Sequence, residues 1–392
     1  MRVVYYTHPA FFEPALCLVR ALSRKADVHL VLELSPSAWQ TAAFDVSRRS
    51  LPPGLQPGDD ILKDAFPAGV RDYWRSAASF HVAVHPISKS LHPRSWQISR
   101  EVVGFATRAG VDVLHLDDVD VSPRLAIALP GSDAPPTVIS VHDPEPHSGE
   151  RNWRKELARK FAYPRAAAHI LYNGAMRDVF AQRHHIRPES IHVVRLGAYD
   201  IVREWSTHDE SRAGPTVLFF GRLSAYKGLD VFYEAAARVA ARVPGVRFVV
   251  AGRPIKGYTP PAAPDLNGAG TIEVLDRYLA NTEAARLFEQ ATLVVCPYRD
   301  ATQSGVVLTA FGFGVPVVAT NTGGLPEYVV HDRTGLLVPV GDAEALADAT
   351  CRILQDDAYR SRLCSNIIAA RTDFLSWDRT ADQVMAAYES VR

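Results

Sequence analysis

Short runs of apolar, mostly β-branched residues recur along the chain and alternate with longer segments whose apolar positions repeat every three to four residues. The short runs read as strands and the longer periodic segments as helices. In the first half the pattern predicts strands at 3–7, 28–33, 80–86, 111–116, 137–142, 169–172 and 192–196. Helices are predicted between them at 14–24, 95–109, 153–162 and 175–183. The second half repeats the arrangement, with strands at 216–220, 247–251, 271–274, 293–297, 316–319 and 335–338. Its helices fall at 229–242, 282–290 and 306–313. The tail predicts helices only, at 343–355, 357–370 and 377–391. Such alternation is the mark of parallel α/β units. The segment 35–69 is richer in Pro and Gly and reads as a long irregular insertion.

A chain of 392 residues exceeds one ordinary core and implies two domains. The polar, charged stretch 199–215 reads as the linker between them. The assignment is a first domain at 1–200, a linker at 201–215 and a second domain at 216–375. Basic and acidic residues number 43 each, and this balance argues against a general nucleic-acid binder. Cys17, Cys296, Cys351 and Cys364 form no CxxC pair and no zinc-type cluster, so they read as buried apolar residues in a reducing compartment. The first residues are broken by prolines and do not make a good signal peptide, and no apolar run reaches membrane-spanning length. The expected location is the cytoplasm.

In open parallel sheets, ligands bind beyond the carboxyl ends of the strands, which directs attention to the loops found there. FFGRLSAYKGLD (219–230) places Gly221, Arg222 and Lys227 between a strand end and a helix start. Arg and Lys there can converge on one anion as planar fork and point charge. A solvated loop with two unrelated cations is the alternative. CPYRDATQSGVVLTAFGFGVPVVAT (296–320) runs from a buried strand through a polar loop into an apolar helix that Ser304 can cap. Backbone N–H groups at Ser304, Gly305 and Val306 suit a diphosphate; the alternative is an ordinary Gly/Pro-punctuated βαβ unit. NTGGLPEYV (321–329) adds a Gly pair and Glu327, as a binding loop or a structural turn. In the first half, SVHDPEPHSGE (140–150) brings His142, Asp143 and His147 to a strand end, where they could meet a sugar or serve structure alone.

The helix predicted next, in RNWRKELARKFAYPR (151–165), carries Trp153, Leu157 and Phe161 at every fourth position. Basic residues surround this stripe, with Glu156 the only acid. The preferred reading is a core-facing stripe with a solvated basic face. Peripheral contact with an anionic lipid surface, or with a phosphorylated acceptor, is the alternative.

Taken together, these segments resemble glycosyltransferase family 4, a family of retaining enzymes, through almost the whole chain and most strongly over 216–340. The carriers are GR-x4-KG at 221–228, SGVVLTAFGFGVPVVATNTGGLPEYV, LLVPVGDAEALADA, VHDPEPHSGE and the ending FLSWDRTADQVMAAY. The resemblance implies the GT-B architecture: two Rossmann-like domains facing across a cleft, with a closing helix (376–392) that crosses back to the first domain. It implies that Arg222 and Lys227 hold the donor diphosphate and that His142 stands near the transferred sugar. It also implies retention of anomeric configuration and a role in glycan or polysaccharide biosynthesis. Two departures stand out. Where the family carries two glutamates seven residues apart, this chain has the Thr302-Gln303 pair and Thr309, all uncharged. Thr302 and Gln303 can hydrogen-bond a sugar, and Thr309 a ribose; the TQSG form marks a subgroup. The loop after the first strand lacks the usual glycine pair and has His8 instead, leaving His8, Asp143 and His147 as acceptor-side candidates.

The expected partners are a nucleotide-sugar donor and a glycan, lipid-linked or small-molecule acceptor. No cofactor is expected and no metal, since two cations and a helix start can neutralise the diphosphate and no DxD-type pair is placed to hold an ion. A nicotinamide dehydrogenase is excluded, because THPAFF follows the first strand where GxGxxG would be needed. An epimerase of the same architecture would share the donor half. A non-catalytic nucleotide-sugar-binding or scaffold protein is the reading from another class.

Overall fold

The computed structural model describes residues 1–36, 51–88, 92–120, 123–129, 134–145, 153–206 and 214–392, the side chain of Arg154 aside. These residues form two compact units. The first runs to Leu196 and includes the C-terminal stretch from Trp377; the second runs from Gly197 to Ser376.

The strands of the first unit are β1 (Arg2–Thr7), β2 (Asp27–Leu34), β3 (Gly54–Pro57), β4 (Ser79–Val84), β5 (Val113–Asp117), β6 (Thr137–Val141), β7 (Ala168–Leu171) and β8 (Ile191–Val193). They form one sheet in the order β3-β4-β2-β1-β5-β6-β7-β8. Every pairing is parallel except that of β3 with β4. The second unit has β9 (Thr216–Phe220), β10 (Val246–Ala251), β11 (Gly270–Leu275), β12 (Leu293–Cys296), β13 (Val317–Thr320) and β14 (Gly335–Val338). Their order is β11-β10-β9-β12-β13-β14, all parallel. Both sheets are doubly wound. The strand order reverses at β1 beside β5 in one unit and at β9 beside β12 in the other, and these switch points are where such sheets open a crevice. The central strands read as continuous apolar runs because helices cover both faces. β12 and β13, for example, are buried along their whole length.

The last helix, Trp377–Glu389, packs on the first unit. It buries Ala381, Val384, Ala387 and Tyr388 and runs beside the helix Phe12–Leu22. Tyr388 reaches the sheet, its hydroxyl 2.5 Å from His115 Nδ1, while His115 Nε2 lies 2.7 Å from Ser140 Oγ. Burial lowers the His115 pKa to about 4, so this link is made by a neutral imidazole. Thr380 Oγ1 donates to the Arg195 carbonyl, and Arg195 N–H donates to Gln383 Oε1.

Three expectations change. Of the stretch 35–69, read as irregular, residues 37–50 lie outside the described residues; the described part contains β3 and the helix Gly58–Leu62, and a helix over Ala68–Arg75 begins at its end. β3 is a four-residue edge strand with Gly and Pro at its ends, a composition that hides a strand from pattern reading. It is secured by pairing with β4 and by the helix Pro93–Arg108 beside it; the segment that follows is anchored by Trp74, which packs among Phe12, Phe66 and Phe80 and donates from its indole N–H to Asp59. Second, the described part of the polar stretch after Tyr199 is a 3-10 segment, Asp200–Trp205, with Ile201 and Trp205 buried. Tyr199 N–H donates to Leu308 O, so this stretch packs into the second unit.

Third, the helix Trp153–Ala162 presents its apolar stripe outward. Trp153, Leu157 and Phe161 are 69%, 45% and 47% exposed, against the core-facing reading. Its buried face is Ala158, Arg159 and Ala162. Two alanines let the helix approach closely, and Arg159 is buried because Asp118 waits for it. Periodicity cannot choose the inner face when a buried cation has a carboxylate partner.

Candidate functional site

In the second unit the switch point is built from the ends of β9 and β12. After Phe220 the chain turns at Gly221-Arg222, passes a 3-10 turn (Ala225–Lys227) and enters the helix Leu229–Ala240 through Gly228. Gly228 is left-handed (φ +70°), and a Cβ there would stand 2.1 Å from the Pro297 carbonyl oxygen. Only glycine lets this helix start lie against the loop after β12. Lys227 is thereby buried beside that loop, and its Nζ donates to Tyr298 Oη at 2.9 Å. Tyr298 Oη lies 3.5 Å from Ser304 Oγ, and Ser304 caps the helix Gly305–Gly312 by accepting from Val307 N–H. Where a Cβ would stand on Gly221, Lys227 Nζ and Val306 Cγ2 are each 3.3 Å away.

Four candidates from separate segments therefore meet: the Gly221 backbone, the Lys227 ammonium, Ser304 and the first turn of a helix at Gly305–Val306. The unsatisfied N–H groups of that turn and the lysine charge favour an anion. Burial pushes the Cys296 thiol up to about 11, with Lys227 acting in the opposite direction, so this thiol is protonated at neutral pH. Arg222 follows Gly221 and is exposed. Thr302 is buried, and Gln303 is half-buried with its Oε1 enclosed and without a hydrogen-bond partner. Thr309 is buried and donates from Oγ1 to the Gly305 carbonyl, which leaves its lone pairs as acceptors. The 301–304 loop is clamped by the turn after β13: Gly324 N–H donates to Ala301 O, and a Cβ on Gly323 (φ +51°) would stand 1.7 Å from that same oxygen. Glu327 sits in the short helix Leu325–Tyr328, its N–H donating to Gly324 O.

In the first unit, polar groups gather at the ends of β1, β5 and β6. His142 follows β6 and is buried; its Nε2 lies 3.2 Å from Asp117 Oδ1, an oxygen that also accepts from Tyr5 Oη at 3.0 Å. Phe11 stacks on the His142 ring, with centroids 3.6 Å apart and planes 12° apart. A carboxylate on Nε2 selects the tautomer with hydrogen there and leaves Nδ1 as an acceptor. His8 caps the turn Pro9–Phe11 through its Nδ1, which accepts from Ala10 N–H. Burial, then the nearby Arg124 charge, holds His8 well below the usual histidine range, so it is neutral. Asp143 accepts on its carbonyl from Arg159, which anchors the loop carrying His142. His147 lies outside the described residues.

Three groups here were not anticipated. Asp117 ends β5 and Asp118 follows it. Asp118, left-handed at φ +57°, takes both oxygens to Arg159 NH2 (3.2 and 3.0 Å) and one to Lys155 (3.0 Å). Burial opposes its ionisation, but these two cations outweigh it and hold the carboxyl well below its ordinary range. Two cations expected on a solvated face are therefore engaged inside the unit. Arg124 donates to the Asp117 carbonyl and pairs with Glu33 and Asp120. The HLDD run at a strand's carboxyl end was the available signal; Arg124 had none, because Glu33, the buried carboxylate it pairs with, lies on β2, far away in the chain. Among the described residues no group of three or more His, Cys, Asp or Glu is placed to hold a metal ion.

Residues 15–198 match the family model Glycosyltransferase Family 4, and residues 214–356 match Glycosyl transferases group 1. Both halves are glycosyltransferase domains. The D-inositol 3-phosphate glycosyltransferase of Mycobacterium avium is 33% identical over 218 residues, 52% of this chain and 50% of that protein. The alpha-D-kanosaminyltransferase of Streptomyces kanamyceticus is 27% identical over 249 residues, 60% of this chain and 63% of that one. The matched regions thus span about half to two thirds of these curated relatives. Among solved structures, Anabaena HepE in complex with UDP superposes with a TM-score of 0.64 at 17% identity over the whole of both chains. Sucrose-phosphate synthase from Thermosynechococcus elongatus gives 0.66 at 16% identity, covering 99% of this chain and 98% of that one. At such identities the likeness concerns the fold, and the glycosyltransferase domains of this chain have the GT-B architecture.

Proposed function

We propose that this chain transfers a sugar from a nucleotide-diphosphate sugar to a hydroxyl-bearing acceptor, with retention of anomeric configuration. The observation that carries the proposal is the meeting of the buried Lys227 ammonium, the Gly221 backbone and the Ser304-capped helix start at the switch point of the second unit. That is a diphosphate receptor made of one charge and a set of backbone donors. The UDP complex of HepE and the glycosyltransferase names of the relatives support the same donor class.

In this mechanism Lys227, Arg222 and the helix start stabilise charge as it grows on the leaving diphosphate. The acceptor oxygen bonds to the anomeric carbon, the bond from that carbon to the β-phosphate oxygen breaks, and the acceptor proton ends on the departing diphosphate. His142, fixed by Asp117 and Phe11, holds a sugar or acceptor hydroxyl through Nδ1. Gln303 and Thr302 hydrogen-bond the sugar, and Thr309 accepts from a ribose hydroxyl. His8, Asp143 and His147 stand on the acceptor side. The reaction belongs to glycan or glycoconjugate biosynthesis in the cytoplasm and draws on no cofactor.

A second reading is nucleotide-sugar binding without turnover. It is favoured by Thr309, whose hydroxyl hydrogen already serves its own helix. A panel of nucleotide sugars separates the two, using wild type, Arg222→Ala and Lys227→Ala. Binding and slow hydrolysis of one donor, weakened by both changes, supports transfer; NMR of the product's anomeric proton then tests retention. Tight binding with no hydrolysis and no transfer to any acceptor establishes the second reading. A folded wild type that binds no donor overturns both.

A further inference from the structure

The outward face of the helix Trp153–Ala162 has no role in the site described above. Trp153, Leu157 and Phe161 follow one another at one-turn spacing and form an exposed apolar ridge. Single exposed apolar residues are ordinary, but an aromatic-rich ridge along one helix is not. Its borders are basic. Lys160 is exposed, and Arg165 is exposed at the far end of the ridge, where its guanidinium donates to the Phe161 carbonyl. Glu156, the one acid of the helix, is paired with Arg183 at 2.7 Å, and the same guanidinium holds Glu145 at 3.1 Å. Asp118 is occupied by Arg159 and Lys155 from the inner face. The outward surface of this helix therefore combines apolar bulk with cations whose neighbouring acids are already neutralised.

We propose that this ridge docks the protein on an anionic lipid surface, with the helix lying in the plane of the headgroups. A short helix with Trp, Leu and Phe on one side and Lys and Arg beside them partitions into that boundary without crossing it. No helix among the described residues is long and apolar enough to span a membrane. The helix begins on the side of the sheet where β6 ends, beside the loop that carries His142, and runs back toward the start of β7. Docking would bring that edge close to the lipid headgroups. Delivery of a lipid-anchored acceptor to it rests on the proposed transfer; the docking does not.

The test is co-sedimentation of the full chain at low salt with vesicles of phosphatidylglycerol and phosphatidylcholine in equal parts, compared with phosphatidylcholine alone. Wild type should sediment with the anionic vesicles and be released by salt. Trp153→Ala/Leu157→Ala/Phe161→Ala should weaken binding about a hundredfold or more, from the apolar area withdrawn. Lys160→Gln/Arg165→Gln should weaken it about thirtyfold, at the usual contribution of a basic residue near an anionic surface. Both variants change exposed residues and should melt cooperatively near the wild-type temperature. The proposal is overturned if wild type ignores anionic vesicles, if it binds both vesicle types equally, or if the apolar triple variant sediments like wild type. It is also overturned if the triple variant instead dissolves a dimer seen by gel filtration, which would assign the ridge to a second copy of the chain.

Discussion

Replacing Lys227 with Met separates stability from donor binding in one experiment. Methionine keeps an apolar stem where the lysine lies over the Tyr298 ring, 4.3 Å from its centroid, and removes the charge with its hydrogen bond to Tyr298 and its cation–π contacts to Tyr226 and Tyr298. The ammonium is buried, so its removal relieves a desolvation cost while forfeiting the contacts that hold it. The unliganded melting temperature gives the stability of the variant and is the baseline for its nucleotide response. The nucleotide response should collapse. A charge-assisted contact to phosphate contributes about 1.5–3 kcal/mol, and the upper end of that range is a loss of about a hundredfold in affinity. With UDP or the preferred nucleotide at a hundred times the wild-type Kd, the stabilisation is about 2.7 kcal/mol; a hundredfold weaker Kd leaves about 0.4 kcal/mol. For a unit of this size that is a fall in thermal shift from about 5–10 °C to about 1 °C. Loss of transition-state stabilisation should lower kcat/KM by about 10²–10³-fold. Differential scanning fluorimetry with and without nucleotide reads the first quantity, and steady-state transfer or donor hydrolysis the second. A variant that keeps the full nucleotide shift, or stays within threefold of wild-type kcat/KM, would refute the placement of the diphosphate at Lys227.

Three other outcomes follow from single contacts. Asp117→Asn gives His142 and Tyr5 a neutral partner in place of a shared carboxylate; kcat should fall about tenfold or more, on the scale of one charge-assisted hydrogen bond, with donor affinity unchanged by titration. An unaltered kcat would remove His142 tautomer control from the mechanism. Glu33 gives a signed pH effect: burial raises its carboxyl to about 7, with Arg124 offsetting part of the rise. A folded pKa above the unfolded value of about 4.3 means stability fully present below that pH and lost as pH rises through 7. Urea midpoints at pH 5, 6, 7 and 8 should decline less for Glu33→Gln than for wild type, and parallel declines would count against it. Gly228→Ala must place a Cβ 2.1 Å from the Pro297 carbonyl oxygen in a left-handed conformation. Adding the left-handed penalty of about 1–2 kcal/mol to the displacement of the loop after β12, the second unit should lose more than about 2 kcal/mol, measured by denaturant titration, and with it nucleotide affinity.

Much of this molecule is local in the chain and was legible there. Buried parallel strands such as 293–296 and 317–320 announce themselves as continuous β-branched runs, because both faces lie under helices. Helices 343–355 and 357–370 are framed by capping aspartates, Asp342 and Asp356, three residues before the N–H groups they accept. Ser304 as a cap, and Gly221 and Lys227 at a strand end, could be read for the same reason: capping and turn chemistry act within a few residues. Whatever depends on distant partners could not. β3 exists only because β4 and the helix Pro93–Arg108 support it. Arg124 is buried against Glu33, His142 is oriented by Asp117 and Phe11, and Lys227 lies against Tyr298, with partners up to 131 positions away. The helix 153–162 states the division most clearly. Its period and its amphipathic character are written in the sequence, but which side faces inward was decided by Asp118, 41 positions away from Arg159, whose carboxylate offsets the cost of burying an arginine.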